Sequence, residues 1–472
     1  MTTISSPGVG SGLDVNSIIT QLLAIERQPI VQLQSKATQI QAQISEYGKL
    51  QSLTSALRDA ASALASNDTW GKAVGSSANA SAVGIATSTG ATVGSYSVQV
   101  QSLASAQSLA SGTFASPDAL PGAGTLHIEL GSWDPGQSAF TPKSGATAVD
   151  VTIAATDTLA QVRDKINASN AGVTAMILND GSGSRLLLRS NATGTESAFR
   201  TSGVAAFEFD PSSGLNAMTQ TQAAANAAAT IDGLAVSSQS NTLANLIDGI
   251  TLTLGQVTTD PVELKVAPDT DGLKTAVKGF ADAYNALATL LASQVKYDAG
   301  SKTAGPLQGD SAAVGLQRQL RTLMGSSSGA SSVFTRLSDV GLELQRDGTV
   351  KVDADKLDAA VANLPELKKA FANSDDAVPA NNGFARQFRT LADAVIGVDG
   401  AITTRTDGLR ERVERNEADQ ERLERRVDQV EARLRAQYTA LDTTLGRLNG
   451  ISSYITQQMA LLNKSNLYDS KD

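Results

Sequence analysis

The last quarter of the chain carries a long stripe of apolar residues that recur at alternating spacings of four and three positions. No glycine or proline lies between Leu409 and Leu445, so no helix breaker interrupts the pattern there. A stripe this narrow is typical of a coiled-coil helix rather than of a helix in a globular core. Its positions are Leu409, Val413, Asn416, Gln420, Leu423, Val427, Val430, Leu434, Gln437, Leu441, Thr444, Leu448, Ile451, Ile455, Gln458 and Leu462.

The start of the chain offers a partner for this stripe. Asp14 is placed to cap a first helix, with Leu13 and Ile18 at the positions of a hydrophobic staple. Pro29 lacks a backbone N–H and predicts a bend or a break, after which a second helix runs to about Asn67. The apolar positions of this second helix are Ile30, Leu33, Ala37, Ile40, Ile44 and Tyr47 and, after a shift near Gly48, Leu50, Leu53, Leu57, Ala60 and Leu64.

Between residues 75 and 268 the chain changes to small and polar residues with short alternating apolar runs. Such alternation is typical of strands with one buried face, so we predict a β-rich region. The turn-forming segment 179–184 predicts a hairpin loop, and residues 158–168 predict one short helix that packs on the sheet. The positions that carry these predictions are Tyr96, Val98, Val100, Val149, Val151, Ile153, Val173, Ala175, Ile177, Leu186, Leu188, Leu252, Leu254, Val262, Leu264 and Val266 for strands, and Leu159, Val162 and Ile166 for the helix.

Helical spacing returns beyond the β-rich region, where Asp347 and Gly348 also predict a tight hairpin turn. The predicted helices cover residues 273–295, 312–324, 354–363, 366–371 and 384–396. The whole pattern predicts an α+β, multidomain protein in which N- and C-terminal helices form coiled-coil legs and a helical body, with a β-rich head inserted between them. The expected domains are residues 1–75, 76–112 with 228–270, 113–227, 271–408 and 409–472.

Length, composition and charge narrow the class of protein. A chain of 472 residues is too long for one core. Hydrophobic residues make up 41% and aromatic residues only 4%, which favours thin aliphatic cores and elongated modules over a compact enzyme. The net charge is −9 and no run rich in Lys or Arg occurs, so we expect no nucleic-acid partner.

The residue types needed for common active sites are scarce. The chain has no cysteine, which excludes thiolate metal sites and cysteine nucleophiles, and its one histidine, His127, lies in an alternating apolar run where a strand-face residue is favoured over a ligand or a general base. The pairs Asp353/Asp355 and Asp269/Asp271 are typical of turns and helix caps, and neither continues as a calcium-binding loop. The sequence therefore predicts no catalytic residue, no cofactor-binding residue and no metal ligand.

Signals for targeting are also missing. The N-terminus shows no cleavable secretory signal, and no apolar run is long enough to span a membrane. Residues 8–12 resemble a dinucleotide-binding fingerprint only superficially, because no strand precedes them and the third glycine comes one residue early.

The long C-terminal helix carries pairs of Glu and Arg that lie four residues apart. These pairs either support a solvated helix face or select a partner helix. They are Glu411/Arg415, Glu421/Arg425 and Glu431/Arg435.

Four stretches, in order along the chain, resemble the bacterial flagellar filament cap proteins, also called the flagellar hook-associated protein 2 family. The first is residues 8–30, GVGSGLDVNSIITQLLAIERQPI, and the second is residues 230–265, beginning TIDGLAVSSQSNTLANLIDG. The third, residues 337–357, contains VGLELQRDGTVKVDADKL, and the fourth, residues 405–465, ends RLNGISSYITQQMALLNKS. Residues 115–150 match no stretch of that family.

The resemblance implies a ring of copies at the distal tip of the flagellar filament, outside the cell and exported without a cleavable signal peptide. It implies contacts with flagellin, with hook–filament junction proteins and with a cytosolic export chaperone, and no covalent chemistry. Filament contacts would fall on Leu13, Asp14, Ile18, Leu22 and Leu23, and C-terminal leg and chaperone contacts on Leu448, Ile451, Ile455, Leu461 and Leu462, all of which fit ordinary coiled-coil core positions equally well.

Two alternatives stand beside the cap hypothesis. An adhesin would use the exposed head to bind mucin or another host glycan. A secreted glycosidase would need one pair of acids to act together, and no pair in the sequence shows the required context.

Overall fold

The computed structural model describes residues 14–298, 300 and 302–468. The chain forms two compact units: residues 67–273, here called the sheet unit, and the segments before and after them, here called the helical unit. The helices are α1 (Val15–Ala65), α2 (Asn67–Trp70), α3 (Leu159–Ala168), α4 (Thr270–Val295), α5 (Ser311–Met324), α6 (Ala354–Val361), α7 (Leu364–Ala372), α8 (Phe384–Ile396) and α9 (Ala401–Tyr468), with 3-10 turns at Thr195–Ser197, Ala205–Phe207, Pro211–Ser213, Leu337–Val340 and Pro379–Asn381. The α+β fold class is confirmed.

Short strands fill the sheet unit, and two small hairpins lie in the helical unit. The strands are β1 (Ala73–Ser77), β2 (Val83–Thr87), β3 (Gly94–Ser102), β4 (Ser108–Ala110), β5 (Gly124–Trp133), β6 (Phe140–Pro142), β7 (Val149–Ile153), β8 (Val173–Asn179), β9 (Ser184–Ser190), β10 (Ala198–Ser202), β11 (Phe209–Asp210), β12 (Leu215–Asn216), β13 (Thr219–Gln222), β14 (Ala227–Ile231), β15 (Leu234–Ser238), β16 (Thr242–Ile247), β17 (Ile250–Leu254), β18 (Val262–Pro268), β19 (Tyr297–Asp298), β20 (Thr303–Ala304), β21 (Leu342–Leu344) and β22 (Val350–Val352).

The first helix is continuous, so the break predicted at Pro29 is wrong. Helix α1 runs for 51 residues with Pro29 inside it and Asp14 as its N-cap, which accepts a hydrogen bond from the Ser17 N–H at 3.0 Å. Pro29 is exposed, so its ring lies on the solvent side of α1. Its neighbour Ile30 is buried against α9. Packing of the neighbouring turn therefore outweighs the local cost of the proline.

The apolar stripe of α1 also differs in detail from its prediction. Beyond Gly48 the fully buried positions are Leu50, Thr54, Leu57, Ala61 and Leu64, whereas Leu53 and Ala60 are only half-buried. Burial thus moves by one residue, from Leu53 to Thr54 and from Ala60 to Ala61. The reason is that this part of α1 packs against several helices of the body, including α8, rather than against a single partner. A helix that packs against several neighbours buries a wider face than a two-helix seam does, so residues beside the predicted stripe become buried.

Aromatic residues join α4 and α8 in the core of the helical unit. Phe280 lies edge-on to Phe388, with ring centroids 5.1 Å apart, and Tyr284 contacts the same ring. The predicted Asp347–Gly348 hairpin is confirmed as β21–β22, and Gly348 has the positive φ of +93° that such a turn requires. Asn285 of α4 bonds the N–H and C=O of Val350, which fixes the hairpin to the body.

The sheet unit consists of two lobes with separate apolar cores. The base lobe (residues 73–102 and 227–268) contains a five-stranded antiparallel sheet in the order β1-β18-β3-β14-β15 and a three-stranded sheet in the order β16-β17-β2. Its buried core consists of Ala82, Val83, Ala91, Val98, Val100, Ala104, Ala227, Ala229, Ile231, Leu243, Ile250, Leu252, Leu254, Val262, Leu264 and Val266.

The inserted lobe (residues 108–222) is built between β3 and β14. One of its sheets has the order β12-β11-β10-β5-β6 with β7 also paired to β5, and the other has the order β13-β4-β9-β8. The predicted β8–β9 hairpin and the predicted helix α3 are confirmed, with Leu159, Val162 and Ile166 buried on the sheet. Thr158 and Gln161 form a capping box that starts α3. The finer division into five domains stays a prediction.

The net charge is confined to one of the two units. The sheet unit has eight Lys and Arg against seventeen Asp and Glu, whereas the rest of the chain has thirty of each. The whole charge of −9 therefore belongs to the sheet unit, and the helical unit is neutral overall.

Candidate assembly site on the terminal helices

The two terminal helices pack against each other in an apolar cluster. Val15, Ile19, Leu23 and Ile30 of α1 and Val427 of α9 are buried together, and the half-buried members on α9 are Leu423, Val430, Leu434 and Tyr438. The helices run antiparallel, since Glu26 faces Arg426 and residues further along α1 face earlier residues of α9. The predicted stripe of α9 therefore pairs within one chain with α1, mostly with residues that precede the stripe predicted to begin at Ile30.

The predicted filament-facing residues of the first helix take different positions. Leu13 lies outside the described residues. Asp14 is exposed and caps α1, Ile18 is half-buried and Leu22 is exposed. Leu23 is only 4% exposed because it packs against α9, so it could contact another protein only if the two helices separated.

The stripe of α9 continues beyond the apolar cluster but loses its cover. Past Tyr438, Leu445 is half-buried, but most of the large apolar side chains are between 44% and 63% exposed; the exposed ones are Leu441, Leu448, Ile451, Tyr454, Ile455, Met459 and Leu461. The side chain of Leu462 lies outside the described residues. An exposed stripe of this length, in the same register as a buried one, is typical of a binding surface.

A polar layer interrupts the seam between the apolar cluster and the body. Asn416 is buried on the stripe and accepts a hydrogen bond from the Gln420 Nε2 at 2.5 Å. The groove at this level is lined by Lys36, Gln39, Ile40, Gln43, Arg412, Arg415, Asn416 and Asp419. This hydrogen bond lies within α9 and does not join α9 to α1.

The three predicted Glu–Arg pairs on α9 are all present. Glu411 and Arg415 approach to 3.5 Å, as do Glu421 and Arg425, and Glu431 and Arg435 approach to 2.8 Å. Five of the six side chains are more than half exposed. Each pair contributes about 0.3–0.5 kcal/mol to a solvated helix face.

A buried ionic cluster fixes the terminal helices to the body. Asp310, the N-cap of α5, accepts hydrogen bonds from the Tyr47 hydroxyl of α1 at 2.6 Å and from the Arg405 Nε of α9 at 2.8 Å. The same carboxylate accepts the backbone N–H groups of Ala312 and Ala313 at the start of α5. One side chain thus joins three helices.

The cluster shifts the titration of its members. Burial alone raises the pKa of Asp310, but the hydrogen bonds from Tyr47 and Arg405 and the positive charge of Arg405 outweigh it, so the pKa lies below its ordinary value. Burial, followed by the bond to Asp310, raises the pKa of the Tyr47 hydroxyl far above its ordinary value. The carboxylate is therefore ionised and the phenol neutral at physiological pH.

Sequence reasoning missed this cluster. Tyr47 was predicted only as an apolar stripe position, and Asp310 precedes a predicted helix in the way that a helix cap does. That cap signal could have been found, but the contact with Arg405 joins positions 95 residues apart and has no local signature.

The first member of each of the acidic pairs Asp353/Asp355 and Asp269/Asp271 lies at the start of a helix and accepts a backbone N–H there. Asp353 accepts the Lys356 N–H at the start of α6, and Asp269 accepts the Gly272 N–H at the start of α4. His127 is an exposed strand residue that bonds its cross-strand neighbour Asp150. The described residues contain no group of three or more His, Cys, Asp or Glu placed to hold a metal ion.

Comparison with known proteins identifies the family. Family models for the flagellar hook-associated protein 2 N-terminus and C-terminus match residues 11–107 and 224–450, and a flagellin hook IN motif matches residues 140–192. Flagellar hook-associated protein 2 of Escherichia coli strain K12 is 32% identical, covering 97% of this chain and 98% of the relative. The chain belongs to the flagellar hook-associated protein 2 family. The A-type member from Pseudomonas aeruginosa is 30% identical over 98% of both chains.

A solved structure of the family shares the fold. The crystal structure of the D1-D2-D3 domains of the Escherichia coli flagellar cap protein matches with a TM-score of 0.61 at 30% identity. The match covers 77% of this chain and 99% of that one. The resemblance found in the sequence is confirmed, whereas the adhesin alternative receives no support from these comparisons. Among the described helices, none combines the length and the hydropathy needed to cross a membrane.

Proposed function

We propose that this protein is the structural cap at the distal end of a bacterial flagellar filament. Copies form a ring that promotes the folding and insertion of flagellin and prevents its loss. The protein acts as a scaffold, without covalent chemistry, and lies at the filament tip outside the cell. Its family membership supports this proposal, because the solved relative is itself a flagellar cap protein.

The single observation in the chain that carries the proposal is the uncovered stripe of α9. The stripe presents Leu448, Ile451 and Ile455 at coiled-coil spacing, and each is about half exposed. Full burial of a fully exposed side chain of this size contributes roughly 1.5–3 kcal/mol, so covering the exposed half of each contributes about half of that, and several together favour association with another helix. We propose Leu448, Ile451, Ile455, Leu461 and Leu462 as contacts of the C-terminal leg with the filament or with an export chaperone.

At the other end of the chain we propose Leu13, Asp14, Ile18, Leu22 and Leu23 as the filament-contacting leg. Leu22 and Ile18 are at least partly accessible, whereas Leu23 contributes by holding α1 against α9. Hook–filament junction proteins are proposed as neighbours, since a cap acts where filament growth starts.

The first test is the mass of the purified full-length protein across concentration, followed by imaging of any large species. The expected result is a discrete ring, or two rings stacked through their exposed α9 stripes, which also gives the copy number. A particle that remains a monomer at every concentration would contradict the ring.

Expression in a motile bacterium that lacks its own cap protein tests the biological role. We expect longer filaments and less flagellin in the medium than in the same strain with an empty vector. A protein that forms rings but leaves flagellin loss unchanged would separate ring formation from capping and refute the latter.

A further inference from the structure

The two lobes of the sheet unit are joined by a narrow neck. Two chain segments cross between them, residues 103–107 and residues 223–226. Within the neck, Ser105 and Ala225 form one isolated antiparallel bridge, with N–H···O distances of 2.9 and 3.1 Å. A two-stranded connection with one bridge resists twisting poorly, so the neck alone would allow the inserted lobe to pivot.

Amide side chains brace this neck from the base lobe. Asn241 bonds both backbone groups of Ala104: its Oδ1 accepts the N–H at 2.7 Å and its Nδ2 donates to the C=O at 2.9 Å. This bidentate contact fixes the orientation of the segment that leads into the inserted lobe. Ala104 is itself a buried member of the apolar core of the base lobe, so apolar burial and this bidentate contact together hold the segment to the base lobe.

Two further amides hold a loop of the inserted lobe. The Asn226 Oδ1 accepts the backbone N–H of Thr195 at 2.8 Å and its hydroxyl at 3.1 Å. The Gln239 Oε1 accepts the backbone N–H of Glu196 at 3.2 Å. Both acceptors bond the loop at residues 193–197, which belongs to the inserted lobe and lies far from the neck in sequence.

Close packing at the same loop gives an independent observation. Gly194 has a φ of +95°, and a Cβ built there would lie 2.7 Å from the Cα of Gln239. The Thr193 hydroxyl donates to the C=O of Gln239 at 2.7 Å. A loop whose glycine lies directly against the backbone of the other lobe leaves no space for a pivoting motion.

We infer that Asn226, Gln239 and Asn241 are positioning residues that hold the inserted lobe at one angle to the base lobe. Together with the contact at Gly194 they form a clasp, defined as these four residues, that makes the sheet unit a single stiff plate. A cap needs a plate of fixed geometry to retain subunits beneath it, and this consequence rests on the proposed function. The stiffness itself is a property of the isolated chain and can be tested without it.

The absence of cysteine from the sequence makes a distance measurement simple. Thr152 of the inserted lobe and Ser237 of the base lobe are both exposed strand residues, and each can be replaced by cysteine and spin-labelled in the full-length protein. The unmodified clasp is expected to give one narrow distance distribution. In Asn226→Ala/Asn241→Ala we expect the width to at least double, and hydrogen exchange at the Thr195 and Glu196 amides to accelerate about tenfold or more.

Matched controls separate loss of the clasp from loss of folding. Gln222 lies beside the neck, and its side-chain amide donates to the C=O of the adjacent Ala223 rather than to the base lobe, so Gln222→Ala should leave the width unchanged. Gly194→Ala should also broaden or shift the distribution, whereas Gly181→Ala should not, because Gly181 has a similar φ of +86° with nothing within 4 Å.

An unchanged width in Asn226→Ala/Asn241→Ala would overturn the inference. If that double variant does not fold, Thr193→Val replaces it, since it removes only the hydroxyl contact with Gln239. An unchanged rate of amide exchange in the loop of Thr193→Val would count equally against the clasp. A narrow wild-type distribution in a protein that fails to form rings would uphold the clasp while refuting the proposed cap.

Discussion

Replacing Asp310 by Asn tests whether one buried carboxylate fixes the terminal helices to the body. The Asp310 side chain is 4% exposed, and it accepts the Tyr47 hydroxyl and the Arg405 Nε. The substitution removes the negative charge that pairs with Arg405 and leaves one amide oxygen where the carboxylate has two acceptor oxygens, one for each donor. Breaking a buried charged pair costs about 3–5 kcal/mol. Because the Arg405 side chain is 37% exposed, solvent recovers part of that, and we expect a loss of about 2–3 kcal/mol.

Urea unfolding can measure this loss of stability in the helical unit separately from the sheet unit. Far-ultraviolet circular dichroism reports mainly on the helical unit, which contains every long helix, whereas both tryptophans, Trp70 and Trp133, lie in the sheet unit. We expect the dichroism midpoint to fall with an unchanged slope. Tyr47→Phe should show a smaller loss of about 1.5 kcal/mol, since it removes one hydrogen bond to a charged acceptor.

Asp353→Asn is the matched control, because Asp353 caps α6 through one backbone N–H and contacts no buried charge. It should cost no more than about 1 kcal/mol. If Asp310→Asn is no more destabilising than Asp353→Asn, Asp310 acts only as a helix cap and the three-helix cluster contributes nothing further.

Three further predictions concern α9, α1 and the body. Ile455→Asp should change the stability of the monomer by less than about 0.5 kcal/mol but abolish large species in sedimentation. The control Ser453→Asp, on the same exposed turn, should keep those species. Equal behaviour of the two variants would exclude the stripe from assembly. Pro29→Ala should stabilise α1 by about 1–3 kcal/mol, seen as slower amide exchange around it, and an unchanged exchange rate there would contradict this expectation. Hydrogen bonds from Lys369 and then Ser331 lower the pKa of Glu366 to about 2, so the unfolded chain binds more protons as the pH falls from about 4 to 2 and stability drops over that window. Glu366→Gln should flatten this part of a stability-versus-pH curve, and an unchanged slope would contradict the assignment.

Periodicity predicted the secondary structure well where one face of an element decides its burial. Helix α3 and the β8–β9 hairpin follow their apolar positions, because each packs one face on a single sheet. The same reasoning failed at Pro29, where contacts from α9 outweigh a local helix breaker. It also misplaced Leu53, since a helix that contacts several neighbours buries a wider face than a two-helix seam.

The candidate assembly site also has a part that the sequence predicts and a part that it does not. The α9 stripe is visible in the sequence because its signal is a repeat within one helix, and its exposure could not be predicted because cover depends on where α1 begins. The cluster around Asp310 and the clasp at Gly194 join residues that are remote in sequence, so only the folded chain brings them together.

The separation of charge between the two units affects how copies of this protein would approach one another. Each sheet unit carries all nine negative charges in excess, so neighbouring sheet units repel over roughly 8–10 Å in physiological salt. The helical units carry no net charge, so the association proposed above for their exposed apolar stripes meets no such net repulsion. Added salt would then strengthen the assembly instead of dissolving it, and a cap built this way would hold better in seawater than in fresh water.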